Sequence, residues 1–128
     1  VHIRSILREI DMLVDIVSDY ESLSALAAKK VAELIMEKPN AVIGFATGST
    51  PLGLYQRLIQ LHRNEGLDFS RITTFNLDEY IGLQADHLQS YAYFMERHLF
   101  AHININRAMV HLPDGMSTDI AGHCIRYE

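Results

Sequence analysis

Residues Ala41–Tyr55 read AVIGFATGSTPLGLY, and Thr74–Leu83 read TFNLDEYIGL. The first stretch opens on an apolar run, Ala41–Ala46, passes through Thr47-Gly48-Ser49 and enters a helical pattern at Pro51. A short run that is apolar throughout reads as a strand buried on both faces. Thr50 is then placed to be the N-cap and Pro51 the first helical residue. The second stretch continues another apolar run, Ile72–Leu77, whose end presents Asp78 and Glu79. A strand that delivers its chain into a helix N-terminus makes an anion site. In parallel α/β sheets ligands sit beyond the carboxyl ends of strands. The two stretches together point to a small phosphorylated substrate and acid–base chemistry.

Outward from these stretches, helix and strand patterns alternate. Ser18-Asp19-Tyr20-Glu21 has capping-box form. Leu23, Leu26, Ala27, Val31, Leu34 and Ile35 make one apolar stripe, and Pro39 ends that helix. Leu52, Tyr55, Leu58, Ile59 and His62 carry the next helix toward Gly66. Asp78 to Gln89 reads as a loop, and Ser90 caps a helix bearing Tyr91, Phe94, Met95, His98 and Leu99. Met109–Leu112 reads as a short strand, Asp114-Gly115 as a turn, and a last helix starts at Ser117 or Thr118. Residues 1–17 fit two patterns: helical spacing from Ile3 to Val17, or a short strand at Leu13–Val17. This order predicts an α/β layer fold with a parallel sheet. The last helical pattern is still running at Glu128, so the sheet is expected to be truncated on its C-terminal side.

Composition narrows the function. The chain has 128 residues, 48% hydrophobic and 21% charged, with a formal net charge of −5. That suits one globular domain. No basic stripe marks nucleic acid as a partner, and no apolar stretch is long enough for a membrane span. The N-terminal VHIRSILREIDMLVDIV lacks the form of a signal peptide. Cys124 is the single cysteine, which fits a reducing, cytoplasmic setting, and it is expected as a small buried hydrophobe.

In Thr47-Gly48-Ser49-Thr50-Pro51 the glycine lets backbone approach an anion, the helix start offers N–H groups, and three hydroxyls can add bonds. The stretch is neither a P-loop nor a dinucleotide fingerprint, which disfavours ATP and NAD. It also reads as an ordinary capped turn. Asp78 lies where the second strand ends. A carboxylate partly removed from water has a raised pKa and serves as a base near neutral pH, yet a loop carboxylate can equally be a cap or an ion-pair partner. Adjacent acids have diverging side chains, so one of Asp78 and Glu79 is expected to be structural. His87, in the loop after Asp78, is a candidate to line a cleft. His98 and His102 are four apart without an HExxH pattern, so a structural role is favoured and no metal site is expected.

With these segments assembled, the sequence resembles the glucosamine-6-phosphate deaminase (isomerase) family. The resemblance rests on FATGSTPLGLYQRL (Phe45–Leu58), TFNLDEYIGL (Thr74–Leu83), QSYAYFMERHLFAHINI (Gln89–Ile105) and CIRYE (Cys124–Glu128). F-N-L-D-E-Y separates this family from 6-phosphogluconolactonase, whose acidic motif continues to an arginine. The resemblance implies a Rossmann-like three-layer sandwich with a mainly parallel sheet. It implies conversion of glucosamine 6-phosphate and water to fructose 6-phosphate and ammonia, in amino-sugar catabolism, without an organic or metal cofactor. It puts the phosphate loop on Thr47, Gly48, Ser49 and Thr50, and the base that moves a proton between C2 and C1 on Asp78. Glu79 and His87 are expected beside the cleft.

The resemblance begins near Val14. Residues 1–11 are expected to be an N-terminal extension, and 12–128 the N-terminal part of a single domain. Family register favours the strand at Leu13–Val17. The family commonly has a proline where Leu88 stands, and its loss here frees φ beside the base. The chain also stops before the family's G-x-D-G-H-I-G-F-N-E-P segment, which carries the ring-opening groups, so the isolated chain is expected to show little turnover. The alternatives are a related sugar-phosphate isomerase or lactonase, and a non-catalytic sugar-phosphate-sensing domain. The expected partner is a small phosphorylated amino sugar; a homo-oligomer is compatible with the sequence but not required by it.

Overall fold

A computed structural model describes residues 14–128. The extension expected at residues 1–11 lies outside the described residues, as does Leu13. Val14–Val17 are described and form no strand. Ile16 is 92% exposed, because a strand gains little until a neighbouring edge takes up its backbone groups. The expectation of a strand at Leu13–Val17 is therefore not met.

Helix α1 runs Tyr20–Glu37. Its N-cap is Asp19, not Ser18: the Asp19 carboxylate accepts from the Ser22 N–H at 2.7 Å, while the Ser18 hydroxyl donates to Asp19. Those bonds hold the Asp19 pKa below its ordinary value, the Ser22 amide foremost. Glu21 does not close a capping box; it pairs with Arg57 at 2.6 Å. Strand β1 is Val42–Gly44, helix α2 Leu52–Glu65, strand β2 Thr73–Phe75 and helix α3 Tyr91–His98. Two 3-10 turns, Phe100–His102 and Arg107–Met109, lead to strand β3, Val110–His111, and helix α4 is Ile120–Tyr127. The N-cap of α4 is Asp119, which accepts from the Gly122 N–H at 3.0 Å. Ser117 and Thr118 precede it, because a carboxylate bonds an orphan amide where Ser117 instead reaches the Asp119 carbonyl.

The strands form a parallel sheet in the order β1-β2-β3, with Ile43 opposite Thr74 and Thr74 opposite Val110. That face meets the core. Ala28, Ala32 and Ile35 of α1, Tyr55 and Leu58 of α2, Met95 of α3, and Phe69, Ile72, Leu99 and Phe100 pack against it. Phe75 and His111 occupy the opposite face, stacked at 4.6 Å, with the Tyr127 ring of α4 edge-on to Phe75 at 5.9 Å. β1 is not buried on both faces as its composition suggests: Ile43 is buried, while Val42 is 63% exposed. Among the described residues nothing covers Val42, since α4 reaches that face only over β2 and β3. Cys124 is exposed, not buried, because α4 turns Tyr127 inward and leaves Cys124 and Ile125 toward solvent. The arrangement is the Rossmann-like α/β fold read from the sequence.

Candidate active site at the carboxyl end of the sheet

Register brings the two decisive stretches together. Gly44 pairs with Phe75 across β1 and β2. Thr47 and Asp78 each lie three residues beyond that pair, so both leave the same end of adjacent strands, roughly 4.8 Å apart in the sheet. Asn76 ties the two ends. It is 2% exposed, and its side-chain amide donates to the Phe45 carbonyl at 2.8 Å. Its own carbonyl and that of His111 accept from the Tyr127 hydroxyl. Sequence reading passed over Asn76, although an amide side chain inside an apolar strand is itself a signal of a required bond.

Four carbonyls at the turn after β1 are held by side chains from elsewhere in the fold. Asn76 holds that of Phe45, and the Tyr55 hydroxyl donates to that of Ala46. Burial pushes the Tyr55 pKa well up. The Tyr20 hydroxyl, from α1, donates to the carbonyls of Thr50 at 2.9 Å and Ser49 at 3.2 Å, and accepts from the Gly53 N–H at 2.9 Å. Gly48 sits at φ 103°, a conformation that favours glycine. The amides of Gly48, Ser49 and Thr50 meet no acceptor among the described residues. Thr50 is not the N-cap of α2. That position falls on Pro51, which has no side-chain bond to the helix. Tyr20 supplies the missing acceptor from another helix.

The loop after β2 is built differently. Glu79 accepts from the N–H groups of Tyr80 at 2.8 Å, Tyr91 at 2.9 Å and Ala92 at 2.9 Å. With Ser90, which accepts from the Tyr93 N–H at 3.0 Å, it caps α3 twice over. The structural member of the acid pair is thus Glu79. Asp78 is exposed and pairs with no cation among the described residues. The partial removal from water expected for it is not met in this chain, since no element packs over its side chain. Tyr91 donates to the Tyr80 hydroxyl at 3.3 Å. That bond foremost, then burial and the nearby charges of Tyr80 and Asp78, raises the Tyr91 pKa; the Thr47 side chain acts against it. Tyr91 therefore lies close to a residue of each loop.

Two cavities flank this junction. One of about 650 Å³ is lined by Gly48, Tyr80, Ile81, Leu88, Tyr91 and Phe94. The other, about 230 Å³, is lined by Asp78, Glu79, Ile81, Gly115, His123 and Tyr127. Gly48 and Asp78 thus open on different hollows that share Ile81. His87 lines neither: it is exposed, and its Nδ1 accepts from the Gln89 N–H at 3.2 Å. His123 lines the smaller cavity with Asp78, its Nε2 accepting from the Asp114 N–H at 2.9 Å. Among the described residues no group of three His, Cys, Asp or Glu gathers to hold a metal ion, and no helix is long and apolar enough to cross a membrane.

Known proteins resemble this chain in sequence and in fold. A glucosamine-6-phosphate deaminase of Thermoanaerobacter sp. (strain X514) is 52% identical over 117 residues, covering 91% of this chain and 46% of the relative. Glucosamine-6-phosphate deaminase 2 of Giardia intestinalis is 54% identical over 103 residues, covering 80% and 39%. A solved monomeric glucosamine-6-phosphate deaminase superposes with a TM-score of 0.89 at 46% identity, over 91% of this chain and 48% of that one. A 6-phosphogluconolactonase of Thermotoga maritima shares the fold at 24% identity and a TM-score of 0.65, covering 87% and 49%. The chain spans about half the length of the relatives it matches. Residues 18–128 match the family described as glucosamine-6-phosphate isomerases/6-phosphogluconolactonase, and the chain belongs to that family.

Proposed function

We propose that the protein carrying this chain deaminates glucosamine 6-phosphate to fructose 6-phosphate and ammonia. The observation that carries the reading is one pair of neighbours: a loop of amides with its carbonyls held by side chains from elsewhere in the fold, and an exposed carboxylate three residues past the same register pair. The loop Thr47–Thr50 holds the substrate phosphate, through the Gly48, Ser49 and Thr50 amides and the flanking hydroxyls. Asp78 takes the proton from C2 of the open-chain sugar and returns it to C1. The C2–H bond breaks and its electron pair forms the C1=C2 enolamine as O1 takes a proton; reprotonation at C1 leaves a C2 iminium, to which water adds with loss of ammonia. The chain's own residues supply this acid–base step, and the reading calls for no cofactor. Identity of about half with proteins named as deaminases favours this reaction over lactone hydrolysis, because the lactonase likeness reaches the fold alone. A phosphorylated sugar is a cytoplasmic metabolite in this reading, in keeping with a single thiol.

Two readouts on the full-length protein test the proposal: ammonia release from glucosamine 6-phosphate and galactosamine 6-phosphate, and acid release from 6-phosphogluconolactone. Glucosamine 6-phosphate should be turned over fastest. Asp78→Asn should lower kcat by about 10²–10⁴ and leave KM within a few fold. Parent-like turnover by that variant would refute Asp78 as the base.

A further inference from the structure

We infer that Tyr20, on α1, is a positioning residue for the substrate phosphate, acting through the peptide planes of the Thr47–Thr50 loop. The inference rests on the reading of that loop as the phosphate site. Its hydroxyl faces the Ser49 carbonyl at 3.2 Å and the Thr50 carbonyl at 2.9 Å. A trans peptide is planar, with its C=O and N–H pointing in opposite directions. Drawing the Ser49 carbonyl toward Tyr20 therefore turns the Thr50 N–H to the other side, away from α1. The next peptide, Thr50–Pro51, has no N–H at all. It can offer a phosphate oxygen only repulsion, and Tyr20 draws its carbonyl aside. The same hydroxyl oxygen accepts the Gly53 N–H at 2.9 Å, so that amide of the first turn is not available to a ligand. The loop amides of Gly48, Ser49 and Thr50 keep no acceptor among the described residues and remain open to an anion.

The approach of α1 to α2 is built for this contact. A Cβ on Gly53 would stand 2.2 Å from the Ser24 hydroxyl and 3.0 Å from the Tyr20 ring. The closest clash would be with Ser24, and the Tyr20 ring would also have to give way. The Glu21–Arg57 pair at 2.6 Å clamps the helices next to it. Tyr20 itself is 48% exposed, so packing alone does not explain an aromatic ring held by three polar contacts.

The test is Tyr20→Phe in the full-length protein. It removes the hydroxyl and keeps the ring. KM for glucosamine 6-phosphate should rise about three- to tenfold, the scale of one hydrogen bond. The inhibition constant of inorganic phosphate should rise by the same factor, with kcat within twofold. A Tyr20 that serves only the fold would lower the denaturation midpoint and leave KM unmoved; that result overturns the inference, as does a fall in kcat at constant KM. Ser49→Ala separates the two levels. If Ser49→Ala raises KM and Tyr20→Phe does not, only the part given to Tyr20 fails. If neither raises it, the phosphate loop is misplaced and both readings fall.

Discussion

The two loops at the carboxyl end of the sheet solve opposite problems. In the proposed reading the turn after β1 presents backbone, and its geometry is set from a distance: Asn76, Tyr55 and Tyr20 each hold one or more of its carbonyls. In the same reading the loop after β2 presents a side chain. There Glu79 binds the start of α3 through two amides and the loop's Tyr80 through a third, while its neighbour Asp78 stays exposed. The difference teaches how a fold divides labour. Backbone donors are aimed by fixing peptide planes, which takes donors from other elements. A base is aimed by fixing the chain on either side of it and leaving its own oxygens uncommitted.

That contrast can be broken most directly at the acid pair. Glu79→Ala leaves three amides without their acceptor and should cost about 1–3 kcal/mol of stability, read from urea denaturation. Asp78→Ala should change stability by no more than about 0.5 kcal/mol, as for other exposed sites. Equal losses would erase the distinction. A smaller effect is expected at Tyr55→Phe. It removes the donor to the Ala46 carbonyl, at about 1 kcal/mol near neutral pH. The same change should alter alkaline behaviour. Burial raises the Tyr55 pKa in the folded state, so its contribution is intact below its unfolded value of about 10. It is lost as pH rises above that value, toward the folded one. Parent stability should therefore fall more steeply above pH ~10 than that of Tyr55→Phe, in equilibrium unfolding measured against pH.

The smallest effect concerns the anchor of α1, next to Tyr20. Asp19→Ala removes the cap on the Ser22 amide and should lower stability modestly at neutral pH. The folded pKa of Asp19 is depressed by that bond. Its contribution is present above the unfolded carboxylate value and lost as pH falls through the lower folded one. Parent and variant should thus converge in acid, and a gap that persisted at low pH would mean the cap is not electrostatic. Little change in phosphate affinity at neutral pH would show that α1 holds Tyr20 by packing against α2 as well as by its first turn.

Much of this was legible from residue order. The apolar run before Thr47 and the one before Asp78 give parallel strands, and Ser90 caps α3 as read. Strand-to-helix turns are local events, decided by propensity, proline and glycine over a few residues. The misplaced caps share one cause. Ser18, Thr50, Ser117 and Thr118 each have the right chemistry, but the orphan amides were taken by Asp19, Tyr20 and Asp119. Which of several adjacent acceptors wins depends on backbone angles. In the case of Tyr20 it depends on a partner 33 residues away.

By itself, then, the sequence determined the alternation of elements, the glycine at the turn after β1 and the acid pair at the next strand end, because these are encoded within short stretches. Only the tertiary structure decided which acid is spent on a helix cap and which is left to act. It alone showed a tyrosine of α1 bonded to the Ser49 and Thr50 carbonyls of the turn after β1. Those outcomes depend on distances between residues far apart in the chain, and only packing fixes such distances.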